Sequence, residues 1–205
     1  MSAPPTTSPG STTRLPAAAR RQQLLDVALV AFGRDGFTHT SMNDLAEAAG
    51  VTKPVLYQHF RSKRELYLEV LREAGGRMMG DVAKAIAAAP GPRQQVEAGF
   101  RAYFEWVARE RHGFEVLFAG DTRRDPEFLA ELGKVENEFA DAIAELILVD
   151  GMTQERRRLL AYGIVGIGET TCRHWIGNDL DLAPSDLAQG VADLAWAGLR
   201  GLRAD

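Results

Sequence analysis

Apolar residues recur at helical spacing along most of the chain, with polar residues between them. The first such stretch starts at Ala17, and its apolar positions are Leu24, Leu25, Ala28, Leu29, Ala31 and Phe32. This spacing predicts an amphipathic helix with one face in a core. Gly33 and Gly36 follow directly, and we expect them to end the helix because glycine favours helix termini.

The rest of the chain repeats this helical pattern. Further helices are predicted at 41–49, 53–60, from 63 onward, and at 93–109, 111–119, 125–148, 153–177 and 185–202. Ser62 and Glu65 have capping-box spacing at the start of the long helix, which three glycines weaken and Pro90 ends. No segment alternates with the period of a strand, so the sequence predicts an all-α fold of about nine helices.

Composition places the chain among ordinary globular proteins. It is 45% hydrophobic and 25% charged, and Cys172 is the single cysteine, which excludes an internal disulfide and a thiolate zinc cage. No apolar run approaches the roughly 20 residues that a bilayer requires, and the first residues lack a secretory pattern. We therefore expect a cytoplasmic protein with no membrane contact. Residues 1–15, rich in Pro, Thr and Ser, predict a disordered tail.

Charge is distributed unevenly around the net value of −4. Residues 14–64 carry eight Lys or Arg and four Asp or Glu, a balance of +4, whereas the residues after 64 carry sixteen and twenty-four, a balance of −8. A basic N-terminal part on an acidic body suits a protein that presents one face to phosphates. Chance clustering is the alternative, and charge alone does not separate the two.

The window 40–63 has the physical features of a helix-turn-helix motif. Ser41 can cap the first helix, with Asp44 near its positive end, and Gly50 stands where a positive φ is needed between the helices. Thr52 can cap the second helix. Leu56 and Phe60 form its buried stripe, and the exposed remainder includes Lys53, Val55, Tyr57, Gln58 and His59. Such a mixture suits contacts to base edges and phosphates.

The region from about 20 to 70 closely resembles the DNA-binding domain of the TetR family of regulators. The resemblance rests on Phe32-Gly33-Arg34-Asp35-Gly36-Phe37, Thr40-Ser41-Met42, Leu45-Ala46, Ala49-Gly50-Val51, Leu56-Tyr57-Gln58-His59-Phe60, Arg61-Ser62-Lys63 and Leu66. It implies a DNA-binding domain at 16–70 and a helical effector-binding and dimerisation domain at 71–205, joined within the long helix. Pro54 departs from the small residue often found at that position in the family.

The resemblance also implies roles in DNA binding. It places Thr40, Tyr57, His59 and Lys63 on the sugar-phosphate backbone, beside Ser41, and leaves base reading to Thr52, Lys53, Pro54, Val55 and Gln58. The expected partner is a near-palindromic double-stranded operator. Arg14, Arg20 and Arg21 could extend into the minor groove as an arm. We favour a solvated tail for them.

The C-terminal part supplies candidates for a dimer interface and an effector pocket. Two stripes suit pairing of the last two helices in a homodimer, as the resemblance implies: Gly163, Gly166, Ile167 and Thr170, then Leu187, Val191, Leu194 and Gly198. From the aromatic residues of the middle helices we select a pocket for a small apolar or aromatic effector: Tyr103, Phe104, Phe118, His174 and Trp175. Both sets could instead be ordinary core.

A repressor released by an effector has two alternatives: an enzyme, and a DNA-binding protein with no effector. An enzyme is disfavoured because Cys172 and His174, two apart on a helix, point about 200° from each other. The four histidines have no metal-ligand spacing, and the sequence indicates no cofactor. The second alternative is a dimeric DNA-binding protein with no effector, which the sequence leaves open.

Overall fold

The computed structural model describes residues 15–119 and 125–202, and within these ranges the chain is helical with no strand. The helices are α1 (Ala17–His39), α2 (Met42–Ala48), α3 (Lys53–His59), α4 (Lys63–Ala88), α5 (Pro92–Arg109), α6 (Arg111–Phe114), α7 (Pro126–Ala144), α8 (Gln154–Gly177) and α9 (Pro184–Leu199). A π-helical turn, Glu115–Ala119, continues α6. The all-α prediction is confirmed. The predicted tail at 1–15 falls outside the described residues except for Leu15.

Helix α1 passes through Gly33, the first of the two glycines expected to end it. Its helical geometry breaks at the second, Gly36, whose φ is 79°. Gly33 has a different purpose: a Cβ added there would lie 2.6 Å from the Cβ of His112 and 2.7 Å from its Cα and carbonyl oxygen. Glycine therefore stands at this position because α6 packs directly against the α1 backbone.

Helix α4 runs unbroken for 26 residues despite its three glycines. Gly75 is buried, and its missing side chain makes room for Val135 of α7. At the N-terminus the Ser62 hydroxyl accepts the Glu65 backbone N–H (3.1 Å), while the Glu65 carboxylate accepts the N–H of Arg61 (2.7 Å). The helix is capped as predicted at Ser62, and it connects the N-terminal helices to the C-terminal ones.

Aromatic rings join the N-terminal helices to α7. Tyr67 of α4 makes edge contacts with Phe37 and Phe128, with ring centroids 5.0 and 4.8 Å apart. The Arg64 guanidinium lies 4.6 Å above the Phe128 ring and pairs with Asp125 at 2.6 Å. Asp125 also caps α7 by accepting backbone N–H groups. These contacts hold the start of α4 against the start of α7.

The C-terminal helices pack around α5. Its buried residues Phe100, Tyr103, Phe104, Trp106 and Val107 lie between α4 and α9, while α7 packs along α8. Helix α7 ends at Ala144, before the predicted 148, and an apolar turn at 145–149 follows it. This arrangement leaves an internal cavity between α5 and α8.

Candidate nucleic-acid interface and internal cavity

The helix-turn-helix forms from local signals between Ser41 and Phe60. The Ser41 hydroxyl accepts the Asp44 N–H, and the Asp44 carboxylate accepts the Ser41 N–H at 2.9 Å. These bonds lower the pKa of Asp44, so it stays ionised at the positive end of α2. Gly50 adopts φ 64°, as its position predicts. Leu56 and Phe60 are fully buried, which fixes the rotation of α3.

The opposite face of α3 is open to solvent. Thr52, Lys53, Pro54, Tyr57 and Gln58 are exposed there. Tyr57 has 44% of its surface accessible although it is aromatic. This exposed face mixes polar and apolar groups, and the major groove is wide enough to admit an α-helix.

Two details of α3 refine the sequence prediction. Val55 and His59 are half-buried, at the edge of the exposed face. Thr52 is the N-cap residue, but its side chain makes no capping hydrogen bond, contrary to expectation. Thr52 is exposed, and no capping bond occupies its hydroxyl. Pro54 lies in the first turn, where the lack of an N–H costs nothing.

Thr40 and Lys63 are engaged within the protein. The Thr40 hydroxyl is buried and donates to the Gly36 carbonyl at 2.8 Å, so it is not available to a phosphate in this structure. The Lys63 ammonium donates to the carbonyls of Phe37 (2.7 Å) and Thr40 (2.9 Å). Two of its three N–H donors are thus used to fix the connection between α1 and α2. The internal bond occupies the Thr40 hydroxyl, and Lys63 has one N–H donor left; their contacts to the DNA backbone stay predictions.

Of the three arginines considered for an N-terminal arm, two can be placed in the structure. Arg14 lies outside the described residues, whereas Arg20 and Arg21 belong to α1. The Arg21 guanidinium pairs with Glu69 and lies 4.8 Å over the Phe60 ring. Arg21 therefore holds α1 to α4 and α3, and it is not part of a mobile segment.

An apolar cavity of about 580 Å³ lies between α4, α5, α7, α8 and α9. Part of its lining is exposed and includes Leu146, Leu148 and Arg200; we call this part the mouth. Another part consists of the buried residues Phe100, Tyr103, Phe118 and Gly168; we call it the floor. The volume is in the range of small-molecule sites.

Two of the five predicted pocket residues, Tyr103 and Phe118, line this cavity. Phe104 is instead fully buried against Trp175, with ring centroids 6.4 Å apart. Trp175 lies seven residues, roughly 10 Å, beyond Gly168 along α8 and donates to the Leu180 carbonyl. His174 is exposed and contacts Asn178, because it lies about 120° around the helix from Gly168.

Sequence reasoning missed the mouth of the cavity. The turn at 145–149 contributes Leu146, Ile147, Leu148 and Val149, and the end of α9 contributes Trp196, Leu199 and Arg200. Extending α7 to 148 concealed the turn. The run of four apolar residues at 146–149 was the available signal, since an amphipathic helix does not place four consecutive apolar residues on one face.

Comparison with known proteins identifies the family. The family model "Bacterial regulatory proteins, tetR family" matches residues 24–70, and "Tetracyclin repressor-like, C-terminal domain" matches 92–198. The transcriptional activator FasR of Mycolicibacterium smegmatis is 35% identical over 187 residues, which cover 91% of this chain and 85% of FasR. The chain belongs to the TetR family. It is therefore a helix-turn-helix transcription regulator, with α2 and α3 as the motif.

Solved structures of TetR-like regulators share the whole architecture. A TetR-like transcriptional regulator from Rhodococcus sp. RHA1 has a TM-score of 0.76 at 29% identity, covering 92% of this chain and 100% of that one. FadR from Bacillus subtilis, solved in complex with stearoyl-CoA, has a TM-score of 0.77 at 17% identity, covering 86% and 98%. The FadR comparison shows a common fold.

The predicted dimer stripes of this TetR-family chain are only partly on its surface. Gly163, Thr170, Leu194 and Gly198 are exposed, and Gly166 and Ile167 are half-buried. Leu194 has 65% of its surface accessible. Val191, however, is buried and Leu187 packs against the same core, because α9 lies on α5. Both side chains thus pack in the core of the single chain, and the pairing of these helices stays a prediction.

Within residues 15–119 and 125–202, no group of three or more His, Cys, Asp or Glu side chains comes together as a metal site would require. None of the helices in these ranges combines the length and apolar character needed to cross a bilayer. Cys172 is fully buried, and desolvation raises the pKa of its thiol to about 12, so it is a neutral core residue on a different side of α8 from the exposed His174.

Proposed function

We propose that α3 enters the major groove of a near-palindromic operator and that an apolar effector in the cavity lowers the affinity for that operator. The observation that carries the DNA part is the exposed face of α3, which combines Thr52, Lys53, Tyr57 and Gln58 on a helix whose other side is anchored by Leu56 and Phe60. A Gln amide can donate to N7 of adenine and accept from its N6 amino group, and a Lys ammonium can donate to guanine.

The two proposed functions are assigned to the two domains predicted from the sequence. Residues 16–70 bind DNA, and residues 71–205 bind the effector and dimerise. Two copies are needed because a palindrome presents two half-sites about one DNA turn apart. The exposed surface of α8 and α9, with Leu194, Leu159 (72% accessible) and the open glycines Gly163 and Gly198, supports a two-fold pairing of these helices.

The effector class is argued from the cavity. Its lining is mostly apolar, and it extends from an exposed mouth to a buried floor, which suits an elongated hydrophobic molecule. FadR, which has the same fold, holds stearoyl-CoA. We infer that an acyl chain or a skeleton of similar shape enters here, with any large polar group left outside near Arg200. Repression stays a prediction from the sequence, because FasR is named an activator.

DNA binding is tested by fluorescence anisotropy with a duplex from upstream of the chain's own gene and a library of its base substitutions. Lys53→Ala should alter the preferred base at one position of each half-site by about 5- to 150-fold, the equivalent of 1–3 kcal/mol. Tyr57→Phe should weaken binding to all variants equally. Lys84→Ala, an exposed lysine on α4, is the matched control. Uniform loss on every duplex for Lys53→Ala would refute base reading by Lys53.

Effector control is tested separately from DNA binding. A thermal-shift screen with fatty acids, acyl-CoA esters and steroids identifies binders, and each binder is then added to the preformed operator complex. The effector can release the operator only if it binds the DNA-free state of the protein more tightly than the DNA-bound state. Stabilising ligands that leave operator affinity unchanged, or the absence of any binder, would favour the alternative of a dimeric DNA-binding protein without an effector.

A further inference from the structure

The floor of the cavity contains an unexplained polar atom. Tyr103 lines the cavity and is 5% exposed, and its hydroxyl has no hydrogen-bond partner within the described ranges. Buried polar groups are nearly always paired, because an unpaired one loses its bonds to water without compensation. A buried hydroxyl at a ligand cavity is thus a site where the ligand or a water completes the bonding.

The groups around this hydroxyl offer it only a weak partner. The Cys172 thiol interacts with it, and a thiol is a weak donor and acceptor. Glu169 and Arg173 are also near, but they pair with each other, and Arg173 donates to the Phe118 carbonyl at 3.0 Å. Burial raises the pKa of Tyr103 well above its ordinary value, so the phenol stays neutral and can both donate and accept.

The Tyr103 ring lies between α8 and Phe104. A Cβ on Gly168 would lie 3.4 Å from Cε1 of Tyr103 and 3.6 Å from Cε1 of Phe100, and the Tyr103 and Phe104 ring centroids are 5.6 Å apart. The hydroxyl at the end of this ring is buried. A group that reaches it must be small, and burial disfavours a charged one.

We propose that Tyr103 is a specificity-determining residue that binds an uncharged oxygen, a hydroxyl or ketone, on the end of the effector that enters the cavity first. This inference rests on the proposed effector function and narrows it: an oxygen-tipped chain or ring is recognised over the same skeleton ending in a methyl group. The aromatic and aliphatic lining binds the skeleton, and Tyr103 distinguishes its tip.

The test uses two probes that differ in one atom, hexadecanoic acid and 16-hydroxyhexadecanoic acid, titrated by calorimetry into the full chain. The wild type should bind the hydroxylated probe about tenfold more tightly, the ratio expected when one buried hydrogen bond is made or lost. Tyr103→Phe should abolish this ratio. Tyr162→Phe, which alters an exposed tyrosine of α8 that does not line the cavity, should preserve it. Equal ratios in the wild type and Tyr103→Phe overturn the proposal.

A second measurement needs no ligand. If no internal partner holds the Tyr103 hydroxyl, Tyr103→Phe should leave the melting temperature of the free protein unchanged or raise it. A fall of several degrees means that the protein or a trapped water already satisfies the hydroxyl, and this overturns the proposal. If both probes bind equally and still release the operator, this inference fails while the proposed function stands. If neither probe binds a chain that binds DNA normally, both the acyl-like effector and this inference fail.

Discussion

Gly33→Ala tests the contact between α1 and α6 most directly. The added Cβ would lie 2.6–2.7 Å from three atoms of His112, two of which are backbone atoms, so α6 must move to admit it. Overpacking of this kind costs about 1–3 kcal/mol, and the better helix propensity of alanine returns up to about 1 kcal/mol. We expect a net loss of about 1–2 kcal/mol, which lowers the melting temperature by roughly 2–8 °C for a chain of this size.

Gly80→Ala is the matched control for this substitution. Gly80 is exposed in the middle of α4, and a Cβ there meets nothing within 4 Å. The same change should therefore stabilise the protein by about 0.5–1 kcal/mol. Both variants are measured by thermal circular dichroism at one protein concentration, since association shifts the melting temperature.

The same substitution also affects the proposed communication with the cavity. Helix α6 leads into the π-helical turn that carries Phe118 at the floor, so displacing α6 should reduce the ratio of operator affinities without and with effector. If Gly33→Ala is as stable as the wild type and leaves this ratio unchanged, two claims are refuted. The contact with His112 would then neither stabilise the fold nor connect α1 to the cavity.

Three further predictions concern other parts of the molecule. Arg64 and two backbone N–H groups lower the pKa of Asp125 to about 2. The ionised carboxylate therefore stabilises the folded protein fully above pH 4, and this stabilisation is lost as the pH falls towards 2. Asp125→Asn should melt at a lower temperature than the wild type at pH 7 but not at low pH, and a difference that stays constant with pH contradicts this. Leu194→Asp should shift sedimentation from dimer to monomer, whereas Leu148→Asp, at the cavity mouth, should not. Lys63→Met should weaken binding to every duplex and also lower the melting temperature, and loss of binding at unchanged stability would contradict its bonds to the α1–α2 connection.

The sequence predicted best where the signals are local. Ser41, Gly50, Leu56 and Phe60 have roles that depend on residues within a few positions, and the structure confirms all of them. The TetR resemblance added the order of the domains. Capping bonds, a positive φ and helical periodicity are properties of short segments, so they can be recognised without knowing the packing.

The errors arose where tertiary contacts decide. Gly33 was interpreted as a helix end because nothing in the sequence shows that α6 packs on it. The family resemblance assigned Lys63 to phosphate, and only the fold shows that carbonyls far along the chain also bind its ammonium. Val191 shares its apolar character with the exposed Leu194, and only the packing of α9 on α5 distinguishes the two.

The unbroken course of α4 has a mechanical consequence. With 26 residues it measures roughly 39 Å, and its ends lie beside the cavity and beside the helix-turn-helix. A rigid rod of that length converts a tilt of about 5° into a displacement of roughly 3 Å at its far tip. In a symmetric pair the two tips move in opposite directions, so their separation changes by twice this amount. That change approaches the spacing of two base pairs. A rotation too small to disturb the core is therefore sufficient to misalign the two α3 helices with the major grooves that they would enter.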